Sequence, residues 1–66
     1  MAYMILNQIL DERGLSVREA AVLTNVSKST IHSIRNDELD PKLSTLELLA
    51  KGLEVKITDL FESDYK

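Results

Sequence analysis

The chain carries one histidine and no cysteine, so the chemistry open to it is narrow. His32 lies in the stretch Ser27-Lys28-Ser29-Thr30-Ile31-His32-Ser33-Ile34-Arg35-Asn36, with Ser29 at i−3 and Ser33 at i+1. A hydroxyl nucleophile needs a base beside it and an acid that orients that base. The stretch holds no carboxylate, and a convex helix face offers no pocket, so no catalysis is expected. Asp11/Glu12 and Asp37/Glu38 are adjacent pairs pointing in different directions and read as solvated surface. The glycines, Gly14 and Gly52, build no phosphate-cradling loop. With a single imidazole and no thiol, no metal site is spaced, and no cofactor is expected.

What these residues can do is hydrogen-bond. Taking 100° per residue from Lys28, Ile31 and Ile34 fall at about 300° and 240°, while Lys28, Ser29, His32 and Ser33 fill the arc from about 0° to 140°. Such a helix is anchored by two isoleucines and displays a cation, an imidazole and two hydroxyls. Short side chains able to hydrogen-bond suit the base edges of a major groove. An ordinary amphipathic helix with a solvated polar face fits this stretch equally well.

The elements around it must do the positioning. Ser27 is the expected N-cap of the stretch, its hydroxyl accepting from an orphan amide of the first turn. Upstream, Leu6, Ile9 and Leu10 give a one-faced helix over Tyr3–Arg13, stopped by Gly14, with Leu15 folding back onto the core. Ser16 followed by Glu19 is a capping box that starts a second helix running to about Thr24. Ala20 and Ala21 would let another helix approach closely. Asn25 tolerates the positive φ of a sharp turn, and Val26 can plug the corner. Downstream, Asp37–Lys42 is a polar loop in which Pro41 biases Asp40 to an extended conformation. Leu46, Leu49, Ala50 and Leu53 mark a core helix over Leu43–Leu53, stopped around Gly52–Glu54. Ile57, Leu60 and Phe61 give a last short helix, and residues 62–66 read as a frayed tail. Five helices and no strand signal predict an all-α fold.

Sixty-six residues make one small domain, near the lower limit for a hydrophobic core without staples. The Met1–Leu6 start has no basic n-region and no apolar run reaches membrane-spanning length, so a cytoplasmic protein without a membrane partner is expected. The net charge of −3 argues against indiscriminate nucleic-acid binding. The charge is uneven, however. Ser16–Asn36 carries Arg18, Lys28 and Arg35 against Glu19, whereas Asp37–Lys66 carries four lysines against eight acids. The positive share coincides with the candidate reading helix.

Taken together, Arg13-Gly14-Leu15-Ser16, Glu19-Ala20-Ala21, Val26-Ser27-Lys28-Ser29-Thr30-Ile31, Asn36, Pro41, Thr45-Leu46-Glu47-Leu48-Leu49-Ala50-Lys51, and Val55 with Leu60-Phe61 resemble the Cro/lambda-repressor-type (XRE-type) helix-turn-helix domain over nearly the whole chain. The resemblance implies a five-helix domain over residues 1–66, with the helix-turn-helix at about 16–36. Its third helix would enter the major groove of double-stranded DNA while the second crosses the phosphate backbone. It assigns base contacts to Lys28, Ser29, Ser33 and, more weakly, His32. Backbone contacts fall to Ser27, Asn36 and Lys42, with Arg18 and Arg35 as further candidates.

Four positions depart from the family pattern. Val17 stands where a DNA-contacting Gln usually opens the second helix. Leu10 and Arg35 stand where many members pair an Arg with a Glu, so that pair is expected to be absent and Arg35 available to phosphate. Asn25 replaces a common Gly. Asp37, Glu38 and Asp40 put carboxylates in a loop that runs near the DNA backbone, which predicts weaker and more salt-sensitive binding than in a basic relative.

The function implied is a sequence-specific transcriptional regulator acting as a homodimer on half-sites about 34–36 Å apart. Leu60, Phe61 and Tyr65, or Tyr3 and Met4, are candidates for the dimer surface. The alternative is a protein-interaction module on the same scaffold, whose acidic surface engages a regulatory partner and whose DNA binding is weak or lost. No small-molecule ligand is implied by either.

Overall fold

Four residues in the left-handed conformation cut the chain into helices: Gly14 (φ 64°), Asn25 (φ 59°), Asp37 (φ 62°) and Glu54 (φ 56°). Each follows a helix in the computed structural model, which describes residues 1–66. These helices are α1 (Leu6–Arg13), α2 (Val17–Thr24), α3 (Lys28–Arg35) and α4 (Leu43–Leu53). After α1, the amide of Leu15 donates to the Leu10 carbonyl at 2.9 Å and that of Gly14 to Asp11 at 3.2 Å. This paired bonding satisfies the last carbonyls of a helix when the chain turns left-handed. The same arrangement ends α4, with Val55 donating to Ala50 at 3.0 Å and Glu54 to Lys51 at 3.4 Å. The α2 end is simpler, a single bond from the Asn25 amide to Ala21 at 2.9 Å. Gly14 and Asn25 perform as their residue types predict. Asp37 is also of a type that tolerates this region, whereas Glu54 adopts it without that compositional signal.

The start of α2 is the expected capping box, with Glu19 N–H donating to Ser16 Oγ at 3.1 Å and Ser16 N–H to Glu19 Oε1 at 3.0 Å. These bonds favour the ionised carboxylate. They hold the Glu19 side chain below its ordinary value of 4.5, the backbone bond from Ser16 first and its hydroxyl second.

The core draws on every helix. Leu6, Leu10, Ile31, Ile34, Leu49, Leu53 and Leu60 are the large side chains sealed from solvent, joined by Ala20, Val26 and Ala50. Burying each of the large ones contributes about 1.5–3 kcal/mol. Ile9, Ala21, Leu46 and Ile57, expected in the interior, are half-buried against it. Two features were not visible in the periodicity. Thr24 is fully buried, and its hydroxyl donates to the Ala20 carbonyl at 2.7 Å and accepts from the Val26 amide at 3.3 Å. The polar group is thereby satisfied inside the turn, where an unpaired one would be costly. Gly52 lies within α4, short of its end, and a Cβ there would come within 2.5 Å of the Leu23 carbonyl and 2.6 Å of Thr24 Cα. The close approach of α2 and α4 therefore rests on Gly52.

The five-helix expectation is not met: there are four α-helices. Ile57–Asp59 forms only one 3-10 turn, closed by the Lys56 amide on Asp59 Oδ2 at 3.0 Å. The chain beyond it becomes extended. Tyr3–Met4 (β1) and Phe61–Glu62 (β2) form a two-residue antiparallel pair, Tyr3 opposite Glu62 and Met4 opposite Phe61. The Ile5 amide continues the pairing onto the Leu60 carbonyl at 3.0 Å. A three-residue segment cannot repay the cost of an α-helical nucleus, whereas strand pairing supplies partners for its backbone groups. Tyr3 and Met4 consequently do not belong to the first helix. Residues 62–66 are tied down as well, Lys66 Nζ donating to the Phe61 carbonyl at 3.1 Å and to Glu62 at 3.2 Å. No helix is long and apolar enough to cross a membrane.

Candidate nucleic-acid interface

At the start of α3, Ser27 Oγ accepts from the Thr30 amide at 3.2 Å and donates to Thr30 Oγ1 at 2.8 Å, and it stands 3.4 Å from Ser29 Oγ. The Ser27 hydroxyl is thus spent on the helix start. Ile31 and Ile34 are buried on the inner face, while Lys28, Ser29 and His32 are exposed on the outer one and Ser33 is half-buried. The structure therefore brings the four predicted base-reading residues onto one face, two successive turns deep. Lys28 brings a positive charge and three donors, and the serines can each donate or accept.

The far end of α3 is internally bonded. Arg35 Nη2 contacts Asp11 Oδ1 at 3.2 Å, tying α3 to α1. The expectation of an unengaged Arg35 is corrected here: it pairs with Asp11, one residue past Leu10, with polarity opposite to the family's Arg–Glu pair. Leu10 is sealed in the core, so the next residue along α1 reaches the surface where Arg35 lies. The signal for it was the acid at position 11, but 24 residues separate the two. His32 Nε2 lies 3.0 Å from the Asn36 amide nitrogen, at the i, i+4 spacing of helix neighbours. The turn beyond is closed by the Asp37 amide on Ile34 at 3.1 Å and the Glu38 amide on Ser33 at 2.8 Å. Asp37, Glu38 and Asp40 are all exposed beside this end.

Of the remaining candidates, Arg18 is exposed on α2 and Lys42 is exposed at the start of α4, whose first turn has no side-chain cap. Val17 is half-buried against the core, so the position of the missing Gln is given over to packing. Arg13 Nη1 donates to the Leu53 carbonyl and helps finish α4. Val22, Leu23 and Leu48 leave apolar surface on the α2 and α4 side, with Val22 79% exposed.

Two helices joined through a left-handed Asn25 and a buried Val26, the second presenting a polar outer face, are a helix-turn-helix. The helix-turn-helix family profile matches residues 6–60, and the chain belongs to that family, in its Cro/lambda-repressor-type form. It is similar to the HTH-type transcriptional regulator PuuR of Escherichia coli (strain K12), with 34% identity over 61 residues, 92% of this chain and 33% of that protein. PuuR of Shigella flexneri matches with the same identity and coverage. The chain spans about a third of the length of these curated relatives.

Proposed function

We propose that this domain is the DNA-reading part of a transcriptional regulator, sequence-specific and acting as a homodimer on a two-fold-symmetric operator. The observation that carries the reading is the outer face of α3, where Lys28, Ser29, His32 and Ser33 stand together on a helix pinned from below by Ile31 and Ile34. Lys28 would favour guanine O6 and N7, and the serines would accept several bases. Arg18, Lys42 and the chain around Ser27 and Asn36 would contact the phosphate backbone, setting register and salt-dependent affinity. Arg35 would join them only by giving up Asp11. Two copies would place their α3 helices in major grooves about 34–36 Å apart. Membership of the helix-turn-helix family and the likeness to PuuR support this reading.

The test is selection of duplexes from a random pool at about 0.1 M salt, where surface charge is screened beyond about 10 Å, beside the double variant Lys28→Ala/Ser33→Ala. An enriched palindrome with half-sites one helical turn apart, lost in the variant, is the expected result. A folded protein that enriches nothing would overturn it. The second reading, a protein-interaction module with weak or lost DNA binding, draws on exposed Val22, Leu23 and Leu48 and on the acidic 37–40 loop. It gains its support from that negative result.

A further inference from the structure

We propose that Asn36 is a positioning residue that fixes His32 in one tautomer, so that His32 reads DNA as a hydrogen-bond donor. The proposal rests on the DNA-binding reading above and concerns the selectivity of a single position. The Asn36 carboxamide nitrogen lies 3.0 Å from His32 Nε2. With the carboxamide NH2 toward the ring, Nε2 is the acceptor, and the proton of the neutral imidazole is assigned to Nδ1. Nδ1 has no partner within the protein, and both side chains are exposed on the outer side of α3. The imidazole then offers one free polar atom, an N–H donor.

The clamp is held from below. The Asn36 amide donates to the His32 carbonyl at 3.0 Å, so main chain and side chain tie the two residues together. The left-handed Asp37 and the bonds from Asp37 to Ile34 and from Glu38 to Ser33 fix the turn that carries Asn36. A donor can pair with guanine N7 and O6, adenine N7 or thymine O4, but cytosine presents N4–H2, another donor, in the major groove. His32 therefore discriminates against cytosine on the strand it faces. An imidazole without its clamp can exchange tautomers and would accept from cytosine as well.

Two measurements on the full chain test this. In mildly alkaline solution, nitrogen NMR of the imidazole should show a protonated Nδ1 and a bare Nε2. In Asn36→Ala the two nitrogens should move toward the averaged shifts of a tautomer mixture. A wild-type His32 protonated on Nε2, or one that N36A leaves unchanged, overturns the clamp. In duplex selection, one operator position should disfavour cytosine by about tenfold, within the usual discrimination of a good base contact. N36A should lose most of that bias, and H32A all of it, with unchanged melting. A motif enriched equally by wild type and H32A overturns this proposal alone. Absence of any motif overturns the DNA-binding reading and this inference with it, whatever the tautomer.

Discussion

At the N-terminal end of α3, Lys28 and Ser29 stand exposed with little internal bonding, behind a Ser27 hydroxyl that only starts the helix. At the C-terminal end, Arg35 is held by Asp11, His32 by Asn36, and three carboxylates crowd the following loop. Both ends belong to one eight-residue helix over the same buried isoleucines. The contrast separates two uses of polar side chains on one helix. The first end keeps its hydrogen-bonding capacity unspent. The second spends part of it on Asp11 and Asn36, and carries exposed carboxylates in the adjacent loop.

The largest effect on this comparison comes from removing what both ends share. Gly52→Ala forces a Cβ into the backbone at Leu23 and Thr24, and should cost about 3 kcal/mol of stability by urea titration, since overpacking of this kind has no flexible side chain to yield. A loss below about 0.5 kcal/mol would mean that α2 and α4 can separate freely. Lys28→Ala should lose about 1–3 kcal/mol of operator affinity and relax one base position, at unchanged melting temperature. If Lys42→Ala gave the same base-specific relaxation, the division between reading and anchoring residues would fail.

Asp37→Gly acts on the other end. It removes a side chain from a left-handed position and should stabilise the fold by about 1 kcal/mol. It should also tighten DNA binding at low salt by removing a carboxylate, and tightening without stabilisation would show that the backbone there is unstrained. Asp11→Ala should cost under about 1 kcal/mol, because the pair is solvent-exposed and screened. Arg35 would then be available to phosphate, steepening the salt dependence of binding by about one contact. An unchanged slope would place Arg35 beyond reach of DNA.

The smallest effect is the pH response of the α2 start. Glu19 titrates below its ordinary 4.5 in the folded state, so the unfolded chain binds the proton first as pH falls. Its contribution is present above pH 4.5 and is lost as acid carries the solution through the lowered folded value. In Ser16→Ala this portion of the acid-unfolding curve should disappear. Its persistence would mean that other carboxylates set the acid limit.

The legible parts of the molecule share one property. Ser16 with Glu19, Ser27 with Thr30, and the left-handed Gly14 and Asn25 all complete their bonds within five residues of chain. Their residue types therefore announce them. The His32–Asn36 pair has the same range, yet spacing alone says only that the two can meet. Glu54 turns left-handed although its residue type does not advertise it. Asp11 with Arg35, Gly52 against Thr24, and Met4 opposite Phe61 lie far apart in the chain, where composition gives no register.

The sequence by itself determined the α2–turn–α3 unit and the side chains on its outer face, because helix periodicity and local capping bonds select both without reference to the rest of the chain. The tertiary structure decided which of those side chains are unspent. It also turned the expected fifth helix into a single 3-10 turn followed by a strand paired with the N-terminus. Those outcomes depend on backbone and side-chain partners supplied from distant positions. Such a partner costs loop-closure entropy that only packing of the whole core repays.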